Sequence, residues 1–222
     1  MLLLVIDTST PAVTAAAVEV TREGAPLVLA EQVTVSERRH GELLAPAIEA
    51  VLVEAELTPG DLGAVVAGAG PGPFTGLRVG LATAAATADA LELPAYAVCS
   101  LDAIAYAAGR GEGRLLVATD ARRHEIYWAT YEARGERASG PEVSRPSQVD
   151  TGGCGRACGA GAVLYAEILG LPVDGPQYPA AAGLAALGAG RAIAGAPTEP
   201  LTPLYLRRPD AAPPVRPKAV LR

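Results

Sequence analysis

The sequence predicts an α/β fold built from two lobes. Three observations predict it: a continuous aliphatic run at the start, "LLLVID"; a helical spacing of apolar residues over 42–57; and a glycine- and proline-rich connection, "GAGPGPFTGLRVG", that leads from an apolar run into an alanine-rich one. Strands alternating with helices in this way build a sheet covered by helices. A chain of 222 residues, 50% of them hydrophobic, has the material for a substantial core.

The elements follow in order. Residues 2–7, "LLLVID", suit a buried central strand because both faces are aliphatic. "AVTAAAVEV" and "PLVLAEQVTV" come after turn signals at Pro11 and around Gly24, which predicts a three-stranded meander. Leu44, Ile48, Val51, Leu52 and Ala55 then recur at helical spacing. "LGAVVAGAG" is a short strand, the glycine-rich stretch joins it to a helix ending near Leu91, and "PAYAVCS" is a strand before the helix "LDAIAYAAG". The first hundred residues thus read βββαβαβα. "RLLVATDA" and "EIYWATYEA" begin a second half as strands, the latter with Ile126, Trp128 and Thr130 on one face, and helices are expected over 161–169 and 180–194. These readings divide the chain into a first subdomain, 1–101, a reduced second one, 102–202, and a proline-rich basic tail, 203–222, carrying Arg207, Arg208, Arg216, Lys218 and Arg222. The tail is read as a solvated terminus, with an RNA contact as the alternative.

Charge and cysteine content bound the function. Eighteen basic against twenty-four acidic residues give a net charge of −6, so no overall positive field draws the chain to nucleic acid or an anionic membrane. An RNA contact needs a local patch or a partner. The first residues have no basic flank before Asp7, and no window holds about 18 uncharged apolar residues, so neither an export signal nor a membrane span is expected. Three sparse cysteines, Cys99, Cys154 and Cys158, fit a reducing compartment, and cytoplasm is the expected location. Cys154 and Cys158 lack the further ligands a zinc site needs, the nearest histidine being His124.

The glycine-rich stretch invites a phosphate-binding reading, which its residues fit poorly. A P-loop needs lysine and a hydroxyl after its last glycine, whereas Leu77 and Arg78 follow Gly76. A dinucleotide fingerprint needs a glycine where Pro73 or Thr75 stands. Pro71 and Pro73 also remove two N–H donors. The stretch reads instead as a rigid corner, Gly70, Pro71, Gly72, Phe74, Thr75 and Arg78, that aims the following helix. Along that helix Gly76, Gly80, Ala84 and Ala88 form a strip of minimal bulk flanked by Thr83 and Thr87, and the earlier helix offers Leu43, Ala47 and Ala50 beside its core stripe. Two readings stay open: a surface for a partner, or two strips packed on each other within the chain. On the first, a large residue at Gly80 or Ala84 abolishes pairing and leaves the fold intact. Asp7 and Asp120 stand at strand ends, where a carboxylate holds magnesium, acts as a base, or caps a turn. No G-x-S-x-G nucleophile or histidine metal motif is present, so no catalytic residue and no metal ligand are assigned.

"LLLVIDTST", "RRHGELLAPAIEAVL", "GAGPGPFTGLRVGLATA", "LDAIA" and "ATDARRHEIYWATY", in that order, resemble the TsaB (YeaZ) family of tRNA threonylcarbamoyladenosine biosynthesis proteins over residues 1–132. The most specific parts are G-P-G-x-F-T-G-[LV]-R at 70–78 and D-A-R-x-x-E-[IV]-Y at 120–127; "PLYLR" at 203–207 matches loosely. The resemblance implies the actin-like, sugar kinase and Hsp70 type of fold (ribonuclease H-like). It further implies a subunit that is not itself an enzyme and binds no cofactor alone. Such a subunit pairs through its first two helices with a catalytic paralogue, TsaD, or with itself when TsaD is absent. TsaD holds ATP and metal and modifies adenosine 37 of tRNAs reading codons that begin with A; an ATPase, TsaE, joins the pair. Nucleotide-binding members of the fold carry a glycine in the hairpin after the first strand, where this sequence has Ser9. His40–Gly41–Glu42 stands where the family often has H-S-E.

Overall fold

The computed structural model describes residues 1–207. Its elements are β1 (Leu2–Asp7), β2 (Ala12–Glu19), β3 (Leu27–Val35), α1 (His40–Glu54), β4 (Ala64–Gly68), α2 (Phe74–Ala90), β5 (Ala95–Val98) and α3 (Ser100–Ala108), then β6 (Arg114–Asp120), β7 (Ile126–Tyr131), β8 (Arg137–Ser144), β9 (Cys154–Cys158), α4 (Ala160–Leu164), α5 (Ala166–Leu169) and α6 (Ala181–Ile193). Two sheets result, ordered β3-β2-β1-β4-β5 and β8-β7-β6-β9.

The aliphatic run of β1 is central because it is paired on both sides, antiparallel to β2 and parallel to β4. Its alternate residues feed two separate cores. Leu4 and Ile6 meet Leu44, Val51, Leu81 and Ala84 of α1 and α2, while Leu3 and Val5 meet Leu184, Ala185 and Ala192 of α6. A strand apolar on both faces is what a sheet covered on both faces requires. The second sheet repeats the arrangement: Leu115 and Val117 of β6 face α3, and Leu116 and Ala118 face the side covered by α4 and α5. α3 lies between the sheets, giving Ala103 to the α6 core and Leu101, Ile104 and Ala105 to the second sheet.

Two expectations about organisation are corrected here. A boundary near residue 101 does not divide the cores, because α6 and the residues after it return to the first sheet. Gly188 of α6 lies so close to Val66 of β4 that a Cβ would stand 2.6 Å from its side chain, and Thr198 Oγ1 accepts from Ala95 N (3.0 Å). The face of the first sheet opposite α1 and α2 is bare without α6, so the chain comes back to cover it. The expected tail also starts too early: Leu204 N donates to Ala69 O (2.9 Å), and Arg207 donates to Ala121 O (2.9 Å) and pairs with Glu125. Residues 208–222, with Arg208, Arg216, Lys218 and Arg222, lie outside the described residues.

Candidate functional site: a sealed hairpin and an outer helix face

The turn between β1 and β2 carries "TST", and all three side chains are buried. Asp7, at the end of β1, organises it. Its Oδ1 accepts from Ser9 N (2.8 Å) and Ser9 Oγ (2.7 Å), and its Oδ2 accepts from Ser100 Oγ (2.6 Å). Burial raises the Asp7 pKa above the usual carboxylate range, while the hydrogen bonds from Ser100 and Ser9 and the charge of His40 pull it down. Asp7 therefore caps the turn, the plainest of its open roles. Asp120 does the same, accepting from Arg122 N (2.8 Å) at a turn where Arg122, Arg123 and His124 all have left-handed φ (63°, 58° and 61°).

The glycine-rich corner closes over this hairpin. Gly68 leaves room for the Asp7 carboxylate, and Gly72 lies against the Ser9 carbonyl; a Cβ at either place would overlap those atoms. Ser100 fastens the corner from below, donating N–H to Gly70 O (2.8 Å) and accepting from Gly70 N (3.1 Å). Thr8 fastens α2 from the side. Its hydroxyl donates to Gly76 O (2.6 Å) and accepts from Gly80 N (2.9 Å), so it sits across one rung of the helix. Only a residue without a side chain admits that approach: a Cβ at Gly76 would stand 2.6 Å from Thr8 O, and one at Gly80 would strike the Thr8 hydroxyl.

This geometry corrects the reading of the small-residue strip. Gly76, Gly80 and Ala84, expected to meet a partner, are buried within the chain against Thr8 and the first sheet. Leu43, Ala47, Thr83 and Thr87 are half-buried, the first two packed on the same core, and Ala50 is exposed. The outward face of α2 is different: Ala82, Ala85, Ala86 and Ala90 are exposed, and α1 beside it exposes Ala45, Ala50 and Val53. Of the corner residues, Gly70 has φ +93°, Pro71 and Gly72 are buried, and Phe74, Thr75 and Arg78 are exposed. Phe74 stacks on Tyr205 with ring centroids 5.2 Å apart, and the Arg78 guanidinium lies 4.6 Å from the Phe74 ring centre. His40 Nε2 donates to Thr10 O (2.8 Å), tying the start of α1 to the hairpin. Sequence reasoning missed Thr8, Ser100 and Tyr205. Only the placement of Thr8 directly after the strand-end Asp7 hinted at any of them.

Known proteins are similar to this chain in sequence and fold. Residues 28–161 match the family model described as "TsaD: tRNA N6-adenosine threonylcarbamoyltransferase". A structure titled "YeaZ from Pseudomonas aeruginosa" superposes with a TM-score of 0.76 at 29% identity, covering 92% of this chain and 99% of that one. A second, titled as an uncharacterized protein with similarity to peptidase YEAZ from the same organism, gives 0.75 at 32% identity over 93% and 99%. The chain belongs to the TsaB (YeaZ) family. An uncharacterized protein of Mycobacterium tuberculosis is 51% identical over 95% of this chain and 93% of its own length. The tRNA threonylcarbamoyladenosine biosynthesis protein TsaB of Escherichia coli is 38% identical over 43% of this chain and 42% of its own.

The TsaB fold here is the actin-like, ribonuclease H-like α/β type that the sequence led us to expect. Among the described residues no helix is long and apolar enough to cross a membrane. In this TsaB chain the side chain of Ser9, in the β1–β2 hairpin, turns inward onto Asp7.

Proposed function

We propose that the chain is a non-catalytic pairing subunit of the complex that attaches threonylcarbamoyl to N6 of adenosine 37 in tRNAs reading codons that begin with A. It docks on the catalytic paralogue TsaD through the outer face of α1 and α2 and holds that enzyme in its active arrangement. The observation that carries the reading is the outward face of α2, where Ala82, Ala85, Ala86 and Ala90 leave the backbone open to close approach by another helix. Val53 of α1, 78% exposed, adds an apolar anchor beside it. Leu43 and Ala47 of α1 and Thr83 and Thr87 of α2 are half-buried beside these exposed positions. Membership of the TsaB family supports the pairing role, as do relatives bearing the name of a tRNA threonylcarbamoyladenosine biosynthesis protein.

The sealed hairpin supports the absence of chemistry in this chain. A phosphate approaching the β1–β2 turn would meet Gly72 lying on Ser9 and the Ser9 side chain bonded to Asp7. ATP and metal accordingly belong to TsaD, TsaE joins the pair, and the chain works in the cytoplasm. Without TsaD it pairs with itself through the same face.

Introducing two arginines, Ala82→Arg with Ala86→Arg, tests the reading. An interface of the usual ~1,200–2,000 Å² tolerates no such pair at its centre, so the heterodimer is expected to be lost from size-exclusion chromatography. Both sites are exposed, so the melting temperature should stay within a few degrees. An unchanged heterodimer overturns the docking face. Micromolar binding and turnover of magnesium-ATP by the isolated chain overturn the non-catalytic role.

A further inference from the structure

We infer that the cleft between the end of α3 and the β7–β8 hairpin binds the phosphodiester backbone of RNA. The cleft has a volume of about 490 Å³, and its walls include Asp102, Tyr106, Arg110, Tyr131, Arg134 and Arg137. Its carboxylate is already engaged: Asp102 Oδ1 accepts from Tyr131 OH (2.7 Å), and Oδ2 pairs with Arg137 (2.8 Å). Arg110 and Arg134 have no partner among the described residues. The carbonyl end of α3, which repels anions, is capped by Arg156, which donates to Ala108 O (3.1 and 3.2 Å) and Gly109 O (2.6 Å). Glu132 of the hairpin pairs with Arg114 (2.7 Å), and Glu136 does not line the cleft. A chain of net charge −6 therefore presents a locally positive groove with two unspent guanidinium forks, the shape that fits phosphate oxygens.

The build of the groove favours a polymer over a small phosphate. Arg110, Arg134 and Arg137 are exposed at its rim, and a helix faces it with carbonyls and not amides, so no enclosed cradle for a single phosphate exists. A polyanion laid across such a rim gathers several contacts at once, releasing counterions at each. Tyr106, 46% exposed on the cleft wall, offers a ring for a base to stack on. The groove lies beside α3 and α6, which cover the face of the first sheet opposite α1 and α2, so RNA and a partner on the helix face do not compete. That the RNA is tRNA rests on the function proposed above.

The test is fluorescence anisotropy with an unmodified tRNA transcript at 50–200 mM salt, using the full chain alone and with TsaD added. Wild type is compared with Arg110→Glu/Arg134→Glu. The double variant should bind at least ~10-fold more weakly, with a log–log salt slope smaller by roughly 1.5–2, the effect of two lost phosphate contacts. Equal affinity and slope overturn the assignment. ADP titrated onto both proteins is the second arm: saturation of wild type alone, with tRNA affinity unchanged in the variant, replaces RNA by a free phosphate ester and also overturns it. Arg110→Ala/Arg134→Ala serves if the charge reversals melt early. Failure of the α1–α2 pairing would appear as a lost heterodimer, while the chain-alone salt slopes still answer for the cleft.

Discussion

Thr8 and its two glycines decide what the corner is for. A hydroxyl across the Gly76–Gly80 rung fixes α2 to the hairpin, so enlarging Gly80 attacks the fold and not the partner. Gly80→Leu is expected to cost about 2–3 kcal/mol through forced overlap with Thr8, read as a fall in denaturation midpoint. A Gly80→Leu chain that keeps its stability and loses only its partner would restore the strip as an interface. Asp7 supplies a second test through its raised pKa. Because the folded state holds the proton more tightly than the unfolded chain, the contribution of Asp7 to stability is fully present below the unfolded value, ~3.9, and is lost as pH rises through the folded value. The stability of wild type relative to Asp7→Asn should therefore grow as pH falls through that window, measured by urea melts on an acid series. A difference that stays flat or shrinks contradicts the buried geometry.

At the level of elements, the sequence was most readable where one period dominated. The aliphatic run of β1, the alternation "EIYWATY" and the helical spacings of α1 and α2 all specify the elements found. β8 and β9 were illegible because "RASGPEVS" and "CGRAC" carry neither alternation nor a run of branched residues. The small-residue strip was seen correctly as a place of close approach; periodicity reports that a face is bare, not which backbone or hydroxyl fills it. The departure at Ser9 was legible as a missing glycine, yet the hydrogen bond that closes the other side of the Asp7 carboxylate comes from Ser100, 93 positions away in sequence. α6 was readable as a helix, but not as the cover of the first sheet. Leu184→Ala should therefore cost about 2–5 kcal/mol, as expected for a fully buried leucine. A fragment of residues 1–108, lacking α6, should show no cooperative melt by circular dichroism. A cooperative melt would mean that the first lobe is self-sufficient.

Across the whole molecule, one sheet is covered by α6 on one face and by α1 and α2 on the other, and the outer side of those two helices is exposed. The β1–β2 hairpin is shut by the corner that aims α2. On the function proposed above, the same corner closes the hairpin and presents the helix face to TsaD. Reconstituted threonylcarbamoyl transfer to tRNA, with TsaD and TsaE present, tests this most directly when three forms of the chain are compared. Wild type and Asp7→Asn should support equal transfer within about 2-fold, because a capping residue contributes no transition-state stabilisation, and Ala82→Arg/Ala86→Arg should support none. Full pairing by a folded Asp7→Asn chain with no transfer would contradict the account, since it would put chemistry at the hairpin.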